Sequence, residues 1–579
     1  MNKARKQLVV PRGTVADTYL ALLANRGVEY LFGNAGTDFP SIIEGLAKAH
    51  AAGTPCPTPI TVPHENAAVG MAYGYYLATG RPQAVMVHVG VGTANAAAMV
   101  VNASRENIPV LMTAGRTPIA EKGLPGARSR SIHWAQESFD QAAMLREYTK
   151  WDYELRGESD VETIIDRALQ VACTDPMGPV YLTLPREVLA REEADRVLND
   201  GTRLPPAAPP VPNPGAVDEA AALLLAAKRP LIVAGTVGRT AEGVAALASL
   251  VGRFALPVVQ SLLPRYMNLP ADHEMHMGYD IERFVGAADA ILVVDSDVPW
   301  TPDEQAPPDD CRIIHLGADA IYERYPVRGF AGDVVLKGDT ALGLGQLEEA
   351  MRAAQGDTGP DADALQGRRE RLAAERAEIA EKWGRMAASE TSPEGGVNPF
   401  WATRLIYRLC GPEATYVNEY PFFGPNLPAT RPGSQFSVPP AGGLGWGLGT
   451  ALGMKLAEPG RLVVAGIGDG SYFFNNPSVA HFVGQANDLP LLVAVFNNRG
   501  WNAVRMATLA LYPDGEAARL NETMPLTHLT PSPAFEKMVE ASGGLGLRVE
   551  KPDELEPAML RAIDAVTNER RQTVINILT

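Results

Sequence analysis

The chain is poor in cysteine. Four are spread over 579 residues, Cys56, Cys173, Cys311 and Cys410. They are too far apart for a metal clip and too few for a disulfide-stapled scaffold, so a reducing compartment is expected. No apolar run approaches the length of a membrane span. The first residues, MNKARKQLVVPRG, are basic but lack the hydrophobic stretch of a secretory leader. Positive charge is in deficit, with 51 Lys and Arg against 67 Asp and Glu, a net charge of −16. That balance argues against a nucleic-acid groove or an anionic membrane surface as partner, and says little about a small substrate. A soluble cytoplasmic protein is expected. What remains is ordinary for a globular enzyme: 46% hydrophobic and 20% charged residues, and length enough for about three to four domains.

Runs of strand-like and helix-like pattern alternate along the chain. Val28–Phe32 leads into the turn Gly33-Asn34-Ala35-Gly36-Thr37, and Ile60–Val62 precedes a small-residue helix that opens at Pro63-His64-Glu65-Asn66. Ala84–Val89 ends in Gly90-Val91-Gly92-Thr93-Ala94-Asn95. Residues 1–190 therefore read as one doubly wound α/β domain. The Pro-rich stretch Leu204–Gly215 is too stiff for a core element and reads as a linker. Residues 216–350 form a central α/β region. Its Gly235-Thr236-Val237-Gly238 is an incomplete dinucleotide fingerprint, better read as a plain strand–helix turn. Residues 351–395 are charged, Ala-rich and helical in composition, and 396–579 form a third α/β region. The first and third are alike in size and style.

The stretch richest in chemistry is Arg461–Trp501. Leu462–Ile467 reads as a buried strand ending in Gly468-Asp469-Gly470, taken as a tight turn. Val479, Phe482, Val483 and Ala486 have helical spacing, and Leu489–Phe496 is a second strand, ending in Asn497-Asn498-Arg499-Gly500. Strand, helix, strand makes a βαβ unit. Asp469 and Asn498 then lie near carboxyl ends of parallel strands, where open α/β sheets bind ligands. A carboxylate, an amide oxygen and the Gly500 carbonyl are hard donors that suit Mg²⁺ beside a phosphate.

Gly468-Asp469-Gly470 followed by Asn497-Asn498 about 30 residues later resembles the diphosphate-binding motif of thiamine-diphosphate enzymes. The resemblance implies that Asp469, Asn498 and the Gly500 carbonyl hold Mg²⁺ against the cofactor diphosphate, with Gly470 and Ser471 beside it. Gly466 stands where the family usually has an apolar residue. The segment His64–Tyr75 resembles the family's activating-glutamate segment. Alone, Glu65 would be an N-terminal charge favoured by the helix dipole. In the family such a glutamate meets N1′ of the aminopyrimidine and favours the tautomer that removes the C2 proton of the thiazolium ring. Pro440–Gly445 resembles the loop that lends a carbonyl to the 4′-amino group and an apolar wedge under the bent cofactor, roles that fall on Gly442 and Leu444. Asn95 joins the implied cofactor contacts.

The features resemble a mixture of benzoylformate decarboxylases and acetolactate synthases. Phe32–Thr37 and Val87-His88 are similar to the first, with Thr37 in place of its serine. Trp134-Ala135-Gln136-Glu137 is similar to the second. The decarboxylases' other active-site histidine has no match in Asp297-Val298-Pro299-Trp300-Thr301, and Asn418–Phe422 lacks the usual small hydroxyl residues.

The resemblance implies three doubly wound parallel-sheet domains: pyrimidine-binding, central and diphosphate-binding. It implies a decarboxylase or carboligase acting on a 2-oxo acid with thiamine diphosphate and Mg²⁺, in which Glu65, His88, Gln136 and Thr37 are the catalytic candidates. A homodimer or homotetramer with shared sites is expected. The alternatives are a lyase on a 2-hydroxyacyl-CoA or a cyclic-diketone hydrolase. A non-catalytic subunit is disfavoured by Glu65. Flavin in the central region is compatible but not expected. The aromatics Tyr472, Phe473, Phe474, Trp501 and Trp300 suit either an apolar pocket or the core.

Overall fold

The computed structural model describes residues 7–156, 160–356, 362–393 and 395–579. It is built on three sheets whose strands are parallel throughout. The first runs Thr58–Thr61, Tyr30–Gly33, Ala84–Val87, Leu111–Arg116, Val180–Pro185, Asp152–Glu154 across its width. The third runs Gln435–Ser437, Thr415–Glu419, Val463–Gly468, Leu492–Asn497, Thr573–Leu578, Leu545–Val549. Ranked by position in the chain, both follow the same order, second strand, first, third, fourth, sixth, fifth. The likeness between first and third regions is thus one of topology. The central sheet has five strands, Val258–Val259, Pro230–Ala234, Ala290–Val294, Arg312–Gly317 and Val334–Lys337.

The central strands of each sheet are mostly apolar, as expected where helices cover both faces. Val463, Val464, Ala465 and Ile467 are fully buried, as are Leu492–Val495. Residue 466 can only be glycine here: a Cβ on Gly466 would lie 2.6 Å from the ring of Phe422, so that ring occupies the volume an apolar side chain would have filled.

One hydrophobic core spans the first and third domains. Its centre is the contact between helices Glu65–Thr79 and Gly447–Ala457. Their small residues allow close approach. A Cβ on Gly74 would lie 2.0 Å from the Thr450 carbonyl oxygen, and one on Gly453 would lie 2.1 Å from that of Met71. Trp446, fully buried, stands edge-on to Tyr73 with ring centres 5.9 Å apart. The helix Ala362–Met386 buries only Leu372 and Ile379, both in the central core, as its charged composition predicts. Among the described residues no helix is long and apolar enough to cross a membrane.

Candidate functional site

Two groups of the expected residues gather at carboxyl ends of strands. In the first domain, strands Tyr30–Gly33, Thr58–Thr61 and Ala84–Val87 deliver Asn34, Glu65 and His88. Glu65 opens its helix and is 6% exposed. Its two oxygens accept from the side-chain amides of Asn34, at 2.9 Å, and Asn95. The neighbouring His64 is held below its ordinary range by burial, opposed by the charge of Glu65.

His88 has a partner that sequence reasoning missed. Its Nδ1 lies 2.6 Å from the Asp38 carboxylate, whose second oxygen accepts from the Val89 amide at 3.1 Å. Asp38 is 3% exposed. It raises the pKa of His88, chiefly through this hydrogen bond. Val89 has φ +31°, rare for a β-branched residue. The bond to Asp38 therefore anchors strained backbone directly beside the histidine. On its other edge, His88 Nε2 meets the amide nitrogen of Gln136 at 3.1 Å. The decarboxylase-like histidine and the synthase-like glutamine are thus in direct contact. Thr37 sits exposed on the turn before Asp38. The signal for Asp38 was its place after Gly36-Thr37, but nothing in the local pattern shows which way that carboxylate turns.

In the third domain the Gly468-Asp469-Gly470 segment is not a turn. Asp469 begins a short helix, Asp469–Phe474, and a second helix follows at Pro477–Ala486. Glycine at 470 is required because a Cβ there would lie 2.3 Å from the ring of Trp501. Asp469 is 2% exposed, and burial pushes its pKa up to about 6 against hydrogen bonds from the Gly470 and Gly500 amides. The Gly500 amide donates to Asp469 Oδ2 at 3.2 Å and to Asn498 Oδ1 at 3.0 Å. These oxygens therefore converge on one turn, which Trp501 N and Leu529 N fasten to the segment around Thr527. Among the described residues no three His, Cys, Asp or Glu side chains converge on a metal position. A cation here would depend on Asn498 and main-chain oxygen as well as Asp469.

The loop with Gly442 and Leu444 links the domains. Gly442 has φ +64°, and Leu444 is half-buried. The Gly445 and Gly447 amides each donate to Glu419 at 2.8 Å, and Asn475 donates to Glu419 at 2.7 Å. Glu419 is fully buried, which raises its pKa. This is what stands in place of small hydroxyl residues in Asn418–Phe422: a carboxylate that staples the loop. From the first domain, Asn102 donates to the Gly443 carbonyl at 2.8 Å and Asn66 to the Gly445 carbonyl at 3.3 Å.

Other candidates resolve differently. Tyr472 is fully buried against His481, while Phe473 and Phe474 are 39% and 52% exposed. Trp300 packs on Phe330 in the central core. Asp297 is tied to Arg265 at 2.9 Å and Tyr325 at 3.0 Å. Gly235 and Gly238 are pressed against the carbonyls of Asp295 and Met267, with an added Cβ at 2.2 Å in each case, so this segment is a packed strand–helix turn.

Comparison with known proteins shows a family match for all three domains. Residues 13–144 match the N-terminal TPP binding domain of thiamine pyrophosphate enzymes, 217–340 the central domain and 422–577 the C-terminal TPP binding domain. The chain is 25% identical to the acetolactate synthase isozyme 3 large subunit of Escherichia coli K12, over 96% of this chain and 93% of that protein. It is 28% identical to benzoylformate decarboxylase of Pseudomonas aeruginosa, over 85% and 87%. The crystal structure of benzoylformate decarboxylase from Polynucleobacter necessarius, 21% identical, superposes with a TM-score of 0.75 over 98% of both chains, a likeness of fold. With all three domains matched in order, the chain belongs to the thiamine pyrophosphate enzymes, in the superfamily of acetolactate synthase and benzoylformate decarboxylase.

Proposed function

We propose that the chain is a Mg²⁺- and thiamine-diphosphate-dependent decarboxylase or carboligase of a 2-oxo acid. The observation that carries this reading is the turn on which Asp469 Oδ2 and Asn498 Oδ1 share the Gly500 amide. An almost fully buried carboxylate facing an amide oxygen is a costly arrangement without a cation, and the donor set fits Mg²⁺ with phosphate oxygens completing the shell. Asp469, Asn498 and the Gly500 carbonyl would hold the metal, with Gly470 and Ser471 on the diphosphate side. Glu65 would hold N1′ of the pyrimidine, the Gly442 carbonyl its amino group, and Leu444 would support the bent cofactor. Asn34 and Asn95 orient Glu65 by engaging both of its oxygens.

Thiamine diphosphate supplies, when bound, an electron sink for the carbon left negative by loss of CO₂. Glu65 shares a proton with the ring nitrogen it meets. His88 delivers or removes a proton at the reacting carbon or its oxygen, and Gln136 and Thr37 position the substrate's polar groups. A two-fold dimer, or a tetramer made of two such dimers, is part of the reading. Exposed Val504, Met506, Leu511 and Tyr512 on and beside helix Asn502–Leu511 give it apolar surface to cover.

The test is release of CO₂ from a panel of 2-oxo acids, pyruvate and benzoylformate included, with thiamine diphosphate and Mg²⁺ present and then omitted. Turnover of one or more acids that needs both additions is expected. Absence of cofactor-dependent turnover across the panel would overturn the reading.

A further inference from the structure

The hydrogen bonds around His88 leave little choice about where its protons sit. Asp38 is an acceptor at both oxygens, and one of them is already taken by the Val89 N–H at 3.1 Å. The other faces His88 Nδ1 at 2.6 Å, which must therefore carry a hydrogen. The slot that holds the pair is cut to size. A Cβ on Gly115 would lie 1.7 Å from Asp38 Oδ2, and one on Gly36 would lie 2.1 Å from His88 Nδ1 and 2.7 Å from Asp38 Oδ1. With Nδ1 committed, Nε2 is the only ring atom left to exchange a proton. Facing it is Gln136, whose amide nitrogen is 3.1 Å away and whose Oε1 is buried with no hydrogen-bond partner. When His88 is neutral, the Gln136 NH₂ donates to the Nε2 lone pair. When His88 is charged, Nε2–H needs an acceptor, and a half-turn of the Gln136 amide brings the unpartnered oxygen to it. The charged groups acting on His88 are Asp38, from the turn after strand Tyr30–Gly33, and Glu65, from the helix after Thr58–Thr61. Both favour the protonated ring.

We propose that Asp38 is a positioning residue that fixes His88 in the Nδ1–H tautomer, leaving Nε2 as the sole proton-exchanging atom, and that the Gln136 amide turns to follow its charge. This deepens the proposed function, since it rests on His88 moving a proton there.

The Asp38→Asn variant makes the sharpest test. The Val89 N–H is fixed in the backbone and claims the amide oxygen, so the amide NH₂ must turn toward His88 Nδ1. The ring can then avoid a donor–donor clash only as the Nε2–H tautomer. The exchange atom is blocked although the shape is unchanged, the logic known from the serine-protease aspartate. The measurement is ¹⁵N NMR of the full chain labelled at histidine, with the His88 signals identified by their loss in His88→Asn. At a pH where His88 is neutral, wild type is expected as Nδ1–H and Asp38→Asn as Nε2–H. Turnover of a responsive 2-oxo acid should fall by about 10²–10⁴ in the variant, with thiamine diphosphate affinity unchanged. An Nε2–H tautomer in wild type, or the same tautomer in both proteins, would overturn the inference. Should Asp38→Asn fail to fold, the wild-type spectrum decides alone. The tautomer is read without cofactor, so its failure is distinct from failure of the thiamine diphosphate reading, which calorimetry with that cofactor and Mg²⁺ reports.

Discussion

The Gly500 amide donates a hydrogen bond to the carboxylate of Asp469 at 3.2 Å, joining the helix that Asp469 begins after strand Val463–Gly468 to the loop that follows strand Leu492–Asn497. Because those strands are parallel and adjacent, helix and loop both emerge at the carboxyl end of the sheet. This register brings the Asp469 carboxylate and the Asn498 amide oxygen onto one backbone N–H, as the proposed cation site requires.

Glu65→Gln is expected to keep cofactor affinity and lose activity by about a hundredfold or more. Asn34 and Asn95 both donate to Glu65. A glutamine offers only one acceptor oxygen and cannot share a proton with the cofactor ring. Titration calorimetry and steady-state rates check this together. Wild-type rates in the variant would remove Glu65 from the chemistry.

Gly74→Ala should destabilise the contact between first and third domains. The added Cβ would meet the Thr450 carbonyl at 2.0 Å, and a helical backbone cannot retreat as a side chain can. A loss of about 1–3 kcal/mol is expected, read as a lower thermal midpoint. An unchanged midpoint would mean that these helices are not packed as described.

Much of this was legible in the sequence, and the reasons are local. Alternating strand and helix patterns mark parallel α/β domains, and the spacing from Asp469 to Asn498 is bridged by elements of fixed length. The missed features are side-chain directions and long-range partners. Asp38 reads as an ordinary turn residue until Gly36, Gly115 and Val89 are brought around it. Glu419 reads as a departure from pattern until Gly445, Gly447 and Asn475 are placed on its oxygens. The turn expected at Gly468–Gly470 became a helix start because Ser471–Phe474 continue it, and apolar Phe474 gives a short segment no period from which to tell the two apart.

Acid should weaken the fold through two histidines. His276 and His481 are pushed down to about 4, mainly by burial, from an ordinary value near 6.5. Between these values the unfolded chain binds protons that the folded chain refuses. Their contribution is therefore complete above about pH 6.5 and is lost as pH falls toward 4, each worth on the order of 3 kcal/mol at the lower end. His481→Gln should be less stable than wild type at pH 7, yet lose less stability between pH 7 and 4.5. Denaturant midpoints at the two pH values measure this, and equal losses in both proteins would contradict it.

Mixing Glu65→Gln chains with Asp469→Ala chains under subunit exchange tests how sites are assembled. The hydrogen-bond partners of Glu65 described here lie in the first domain and those of Asp469 in the third. If each site takes the first domain of one chain and the third of its partner, a mixed dimer keeps one intact site and regains activity absent from both parents. No recovery in proven mixed dimers would mean that each chain builds its own site.

In the proposed site, Asp469 anchors a cation that carries the cofactor diphosphate. Calorimetry of thiamine diphosphate binding, with and without Mg²⁺, for wild type and Asp469→Ala measures it directly. Mg²⁺-dependent binding at one site per chain is expected in wild type, and its loss in Asp469→Ala. Equal affinity in the two proteins, or binding indifferent to Mg²⁺, would contradict it.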